Sequence, residues 1–136
     1  MRILLTGSRY WQDIGLINMG LSLAWYKLGV DPKTILVHGA CHLGGADTIA
    51  TRIWEGWGLP VEPPPAKRDS KGRLLGPQRN QEMVNLGADL CLAFPLDNSR
   101  GTFDCMRRAT RAGIPVYTPR TLHLLSEKQQ LNHHSS

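Results

Sequence analysis

A chain of 136 residues with 41% apolar content is long enough for one compact core and too short for two, so a single domain is expected. Its 16 basic against 11 acidic side chains give a net charge of +5, and the arginines are scattered rather than run together, which favours an anionic ligand over a dedicated nucleic-acid arm. Three cysteines, Cys41, Cys91 and Cys105, make an odd count with no CxxC pair, which argues against a disulfide framework and for a reducing cytoplasm. The apolar stretch from Ile3 stops at Gly7, so neither a secretory leader nor a membrane-spanning run is read.

Arg2 to Thr6 is an apolar run of strand type, followed by the turn Gly7-Ser8-Arg9. Asp13 can cap a helix from about Ile14 to Leu28, in which Ile17, Leu21 and Leu28 recur at helical spacing and which Gly29 ends. Thr34 to His38 reads as the second strand. After the turn Gly39 to Gly45, a helix from Ala46 to Trp57 carries Ile49, Ile53, Trp54 and Trp57 on one face, and Gly58 stops it. These tryptophans, with Trp25, are read as packing. Val61-Glu62 is a short edge strand halted by Pro63-Pro64-Pro65. The polar, basic stretch Ala66 to Gly76 is a loop or lid. Pro77 sits in the first turn of a helix reaching Leu86, where its missing amide matters little. Asp89 to Phe94 is the fourth strand, Thr102 to Ala112 a helix and Ile114 to Tyr117 the fifth strand. The domain is placed at residues 1–120, with a C-terminal helix and polar tail over 121–136.

Apolar strands alternating with amphipathic helices predict an α/β fold with a mainly parallel five-stranded sheet, and the commonest order for such a unit is 3-2-1-4-5. That order reverses between strands one and four, where ligands of open α/β sheets bind beyond the carboxyl ends of the strands. Gly7-Ser8-Arg9 and Ser99-Arg100-Gly101-Thr102 should therefore face one another, with backbone amides at a helix start that suit a phosphate.

Each candidate residue has a plainer role beside the functional one. Gly7 and Gly101 either permit tight turns or let the backbone approach a ligand. Ser8 and Thr102 are helix caps or phosphate ligands, and Arg9 and Arg100 are solvated charges or anion partners. Arg79, in the first turn of its helix, is opposed by the helix dipole, so an anionic partner explains it better than a free side chain. Asp47 either favours its helix start or reads the ligand, and Trp11 either stacks on a base or covers the core. Asp104 is a catalytic or ribose-binding acid, or a residue complementing a helix start. His38, Cys41, His42 and Asp47 surround one turn, but without a zinc spacing, so neither metal nor cofactor is expected. Cys41 lacks an identified base, although His38 or His42 could lie near it, and without GxxxxGK or a true GxGxxG neither a P-loop nucleoside triphosphatase nor a standard dinucleotide dehydrogenase is supported.

Four ordered groups remain: Gly7-Ser8-Arg9 with Trp11 and Asp13; His38-Gly39-Ala40-Cys41 with Gly45-Ala46-Asp47; Gly76-Pro77-Gln78-Arg79-Asn80 with Met83; and Ser99-Arg100-Gly101-Thr102 with Asp104. Together, over about Arg2 to Tyr117, they resemble the YspA-like branch of the SLOG superfamily. The resemblance implies a Rossmann-like three-layer nucleotide-binding domain, related to Lonely Guy phosphoribohydrolases, to the DNA-processing protein DprA and to sensors of NAD-derived signals. It carries Gly7, Ser8, Arg9, Trp11, His38, Gly39, Ala40, Gly45, Ala46, Asp47, Arg79, Asn80 and Ser99 to Thr102 over as ligand-binding residues, and a homo-oligomer, often a dimer in the enzymes, as the assembly. Arg79 and Met83 are similar to an arginine and methionine of the Lonely Guy enzymes. Gly101-Thr102 matches part of their proline-glycine-glycine-x-glycine-threonine-x-x-glutamate motif, but Cys105 stands at the glutamate and Leu96 to Ser99 replaces the paired glycines.

Cleaving an N-glycosidic bond develops positive charge on the sugar, which a nearby carboxylate can stabilise or meet with an activated water, and Cys105 does neither well. The expectation is therefore a module that binds a nucleotide-derived phosphorylated molecule, of NAD or ADP-ribose type or a cyclic nucleotide signal, to sequester or sense it. The alternative is an N-ribohydrolase on a nucleoside monophosphate, with Asp104 and Arg79 catalytic. A free-standing domain fits sequestration or a standalone enzyme better than a sensor with an output module. A second alternative, single-stranded DNA binding by resemblance to DprA, rests on the basic balance and the run Lys67 to Arg73, which a solvated loop explains more simply, so no nucleic-acid or membrane partner is expected.

Overall fold

The computed structural model describes residues 1–38, 45–62 and 76–124. Five strands, β1 (Arg2–Gly7), β2 (Ile35–His38), β3 (Val61–Glu62), β4 (Leu90–Phe94) and β5 (Val116–Tyr117), form one all-parallel sheet in the order β3-β2-β1-β4-β5. Four helices, α1 (Ile14–Lys27), α2 (Ala46–Gly56), α3 (Gly76–Asn85) and α4 (Arg100–Arg111), connect them, and a helical turn occupies 119–124. This is the Rossmann-like order expected.

The central strands are apolar on both faces because both faces are covered, which is why they read as unbroken runs. Alternation then sorts their side chains. Ile3, Leu5, Leu36, Leu90, Leu92 and Phe94 join Ile17, Leu21 and Ala24 of α1 and Ala50 and Trp54 of α2 in one core layer. Leu4, Val37 and Cys91 join Met83 and Val84 of α3 and Cys105 and Ala109 of α4 in the other. Each large side chain buried in this way contributes about 1.5–3 kcal/mol.

Asp13 caps α1 as its sequence position suggests, its Oδ1 accepting from the Leu16 amide at 3.0 Å. The start of α4 differs from expectation. Ser99 is its N-cap and its carbonyl accepts from Phe103 N at 3.0 Å, so Arg100 and Gly101 lie inside the first helical turn rather than in a preceding loop. Trp54 is fully buried in the core, with Nε1 donating to the Pro60 carbonyl at 2.9 Å. Trp57 is exposed, and its ring meets Trp54 at 5.9 Å and Trp25 at 6.5 Å beside a cleft of about 340 Å³ that Ser22, Tyr26 and Leu59 complete. The prolines at 63–65, the loop with its basic run Lys67 to Arg73, and the tail beyond 124 lie outside the described residues.

Candidate functional site

β1 ends beside β4, with Gly7 paired to Phe94 across the sheet. The chain turns there because Ser8 is held from every side. Its amide donates to the Phe94 carbonyl at 3.0 Å, its carbonyl accepts from Trp11 N at 3.2 Å and from Ala46 N at 3.0 Å, and its Oγ accepts from Tyr10 N at 3.1 Å. The hydroxyl keeps its own hydrogen to donate.

Two glycines let α2 approach this turn. A Cβ on Gly7 would overlap the Cβ of Ala46 and crowd Phe94 at 3.2 Å. Gly45 has φ 89°, and a Cβ there would run into the backbone of Arg9 and Ser8. Close approach delivers Asp47, in the first turn of α2 and nearly buried, to the floor between the strand ends.

Across from Ser8 lies the first turn of α4. Ser99 Oγ is occupied, accepting from Leu96 N at 2.8 Å. Among the described residues no acceptor takes the amides of Gly101 and Thr102, and no acid lies in that turn, so the positive end of α4 faces the crevice with two donors. The space above Gly101 is open. Arg79, in the first turn of α3, and buried Asn80 close a third side.

The result is one crevice of about 430 Å³ at the sheet's switch point, whose described lining holds three basic residues, Arg9, Arg79 and Arg100, against one acid, Asp47. Of the residues singled out in the sequence, Gly7, Ser8, Arg9, Asp47, Arg79, Asn80, Ser99, Arg100, Gly101 and Thr102 all line it. Such a cavity can take a compact anion with a polar and an apolar part.

Gene 61 protein of Mycobacterium phage D29 is 42% identical to this chain over 120 residues, covering 85% of the chain and 93% of the phage protein. The chain belongs to the family of Gene 61 protein. No protein-family model and no solved structure matches it.

In this Gene 61 family member several expected site residues stand elsewhere. Trp11 is in the core, 8% exposed, with its ring edge-on to Phe94 at 5.4 Å and Nε1 donating to the Asp13 carbonyl at 2.9 Å. Its large ring is better accommodated against the sheet than in water. Ala46 and Gly45 act from behind, by letting α2 meet the turn. His38 ends β2 away from the lining, half-buried, and burial holds its imidazole pKa below the ordinary 6.5, against the opposing pull of Glu55. Gly39 and Ala40, with Cys41 and His42, lie outside the described residues.

Asp104 also departs from the acid's role. Placed a full turn into α4, it accepts from Arg108 Nε at 2.8 Å and from Asn80 Nδ2 at 3.1 Å and sits 3.7 Å from Arg107. The hydrogen bond from Arg108 is the main reason its carboxyl lies below the ordinary 3.8. It braces two helices and does not line the crevice. Cys105, at the position of the enzymes' glutamate, is buried, and loss of solvation pushes its thiol up to about 11 despite a hydrogen bond with Thr6. It is a protonated thiol at neutral pH.

The crevice also contains residues that the sequence reading passed over: Thr6, Asn98 and Tyr10. Tyr10 is 68% exposed, and the Arg9 guanidinium lies 4.9 Å from its ring centre. Its adjacency to Trp11 hid it, because the larger aromatic drew the stacking role.

Proposed function

We propose that the crevice binds a nucleotide-derived phosphorylated small molecule, of NAD or ADP-ribose type or a cyclic nucleotide signal, and holds it intact for sequestration or sensing. The observation that carries this is the convergence of Ser8, the Gly101 and Thr102 amides and three arginines on one cavity at the strand 1/strand 4 switch point. A phosphate takes the α4 amides and Arg79, while Asp47 accepts from sugar hydroxyls, as acids in dinucleotide sites do. This reading places the chain in the YspA-like branch of the SLOG superfamily, in a reducing cytoplasm, with sedimentation velocity expected to show a homo-oligomer.

Retention is favoured over hydrolysis because Asp104 is engaged by Arg108 and Asn80 and Cys105 offers no carboxylate. The hydrolase reading keeps one support, the Asp47 carboxylate inside the crevice. Native mass spectrometry with a nucleotide and NAD-derivative pool separates the two. An intact retained ligand is the expected result, and released base with ribose phosphate would establish the hydrolase. Arg79→Ala should weaken binding of the retained ligand by ~1.5–3 kcal/mol through loss of a charge-assisted hydrogen bond. Unchanged affinity would remove Arg79 from the site.

A further inference from the structure

We infer that Tyr10 is the platform for the ligand's base, which makes the preferred ligand a nucleotide rather than a sugar phosphate; the inference rests on the phosphate-binding reading above. Tyr10 is the outward residue of a turn whose neighbours are fixed. Its amide is tied to Ser8 Oγ at 3.1 Å, and Trp11, the next residue, is anchored in the core against Phe94. With its neighbours pinned, Tyr10 is 68% exposed and is one of the residues lining the crevice, together with Ser8, Gly101 and Thr102.

Isolated exposed aromatics are ordinary on protein surfaces. Tyr10 differs in lining a cavity rich in anion donors and in carrying a guanidinium at 4.9 Å from its ring centre. Arg9 lies over the Tyr10 ring, so a guanidinium and a phenol are paired at one rim. Bases stack on both kinds of plane, and such stacking is tolerant of base identity because every base has a π-face. A nucleotide can place its phosphate on the α4 amides and its base on Tyr10, both of which line the one cavity, whereas a sugar phosphate leaves the ring bare.

The test is isothermal titration of wild type, Tyr10→Ala and Tyr10→Phe with AMP, GMP, CMP, UMP, cyclic AMP, cyclic GMP, NAD, ADP-ribose and ribose 5-phosphate. Tyr10→Ala should weaken the best-bound nucleotide about 5- to 150-fold, the range for loss of one stacked base. Ribose 5-phosphate affinity should be unchanged, and Tyr10→Phe should bind nucleotides as wild type does. Equal nucleotide affinity in wild type and Tyr10→Ala would overturn the platform and leave the phosphate crevice standing. Equal losses for ribose 5-phosphate and nucleotides would overturn the platform too, since the change would then act on the phosphate end. A wild-type protein that binds none of these compounds would overturn the crevice reading itself and the platform with it. An exposed side chain can be truncated without unfolding the domain, and far-UV circular dichroism of both variants checks this.

Discussion

At Gly45 the backbone does what no other residue tolerates, combining φ 89° with direct contact against Arg9. Gly45→Ala should destabilise the domain by ~1–3 kcal/mol in urea denaturation, because both the dihedral and the overlap must be relieved by moving α2. Gly101 is the opposite case, a helical glycine with open space around it. Gly101→Ala should leave stability unchanged or raise it by up to about 0.5–1 kcal/mol, while lowering affinity for a phosphorylated ligand. Both glycines stand out in the sequence as turn residues, yet their different duties do not, since one depends on an approach from a helix many residues away. Side-chain direction in the Arg9-Tyr10-Trp11 turn is equally illegible. No period governs a turn, so which aromatic faces the core is decided by the packing of Trp11 on Phe94.

Between α3 and α4 runs a hydrogen-bonded brace. Asn80 Nδ2 donates to the Gly101 carbonyl at 3.0 Å and to Asp104, and Arg108 donates to Asp104 and to Gln81 Oε1 at 2.8 Å. It fixes the first turn of α4 against the helix that carries Arg79. Because the folded Asp104 carboxyl lies below its ordinary 3.8, its contribution is fully present above that pH and is lost as pH falls through the lower folded value. The stability difference between wild type and Asp104→Asn should therefore be largest at neutral pH and shrink in denaturation curves recorded downward through 3.8. A constant difference would mean that the charge of Asp104 is not what braces the helices. The elements themselves were legible, since buried parallel strands announce themselves as apolar runs such as Leu90 to Phe94 and glycines mark the helix ends. The brace was not, because Asn80 and Asp104 are 24 positions apart and meet only through the packing of two helices.

Over the whole molecule, the strand order places the two halves of the crevice on adjacent strands. Sequence alone suggested that order, because right-handed crossovers leave few alternatives for five alternating units. The details that depended on both faces of the sheet, such as Trp57 at an open aromatic cleft, needed the assembled layers. The Gly7–Phe94 rung has a mechanical consequence. The spacing between the loops after β1 and β4 is a single inter-strand spacing, held by backbone hydrogen bonds such as that from Ser8 N to the Phe94 carbonyl, so among the described residues these two walls of the crevice part only with the sheet. Thermal release of a bound nucleotide should accordingly superimpose on the far-UV melting curve of the ligand-bound protein. Release well below that transition would place a softer joint within the site than the sheet that frames it.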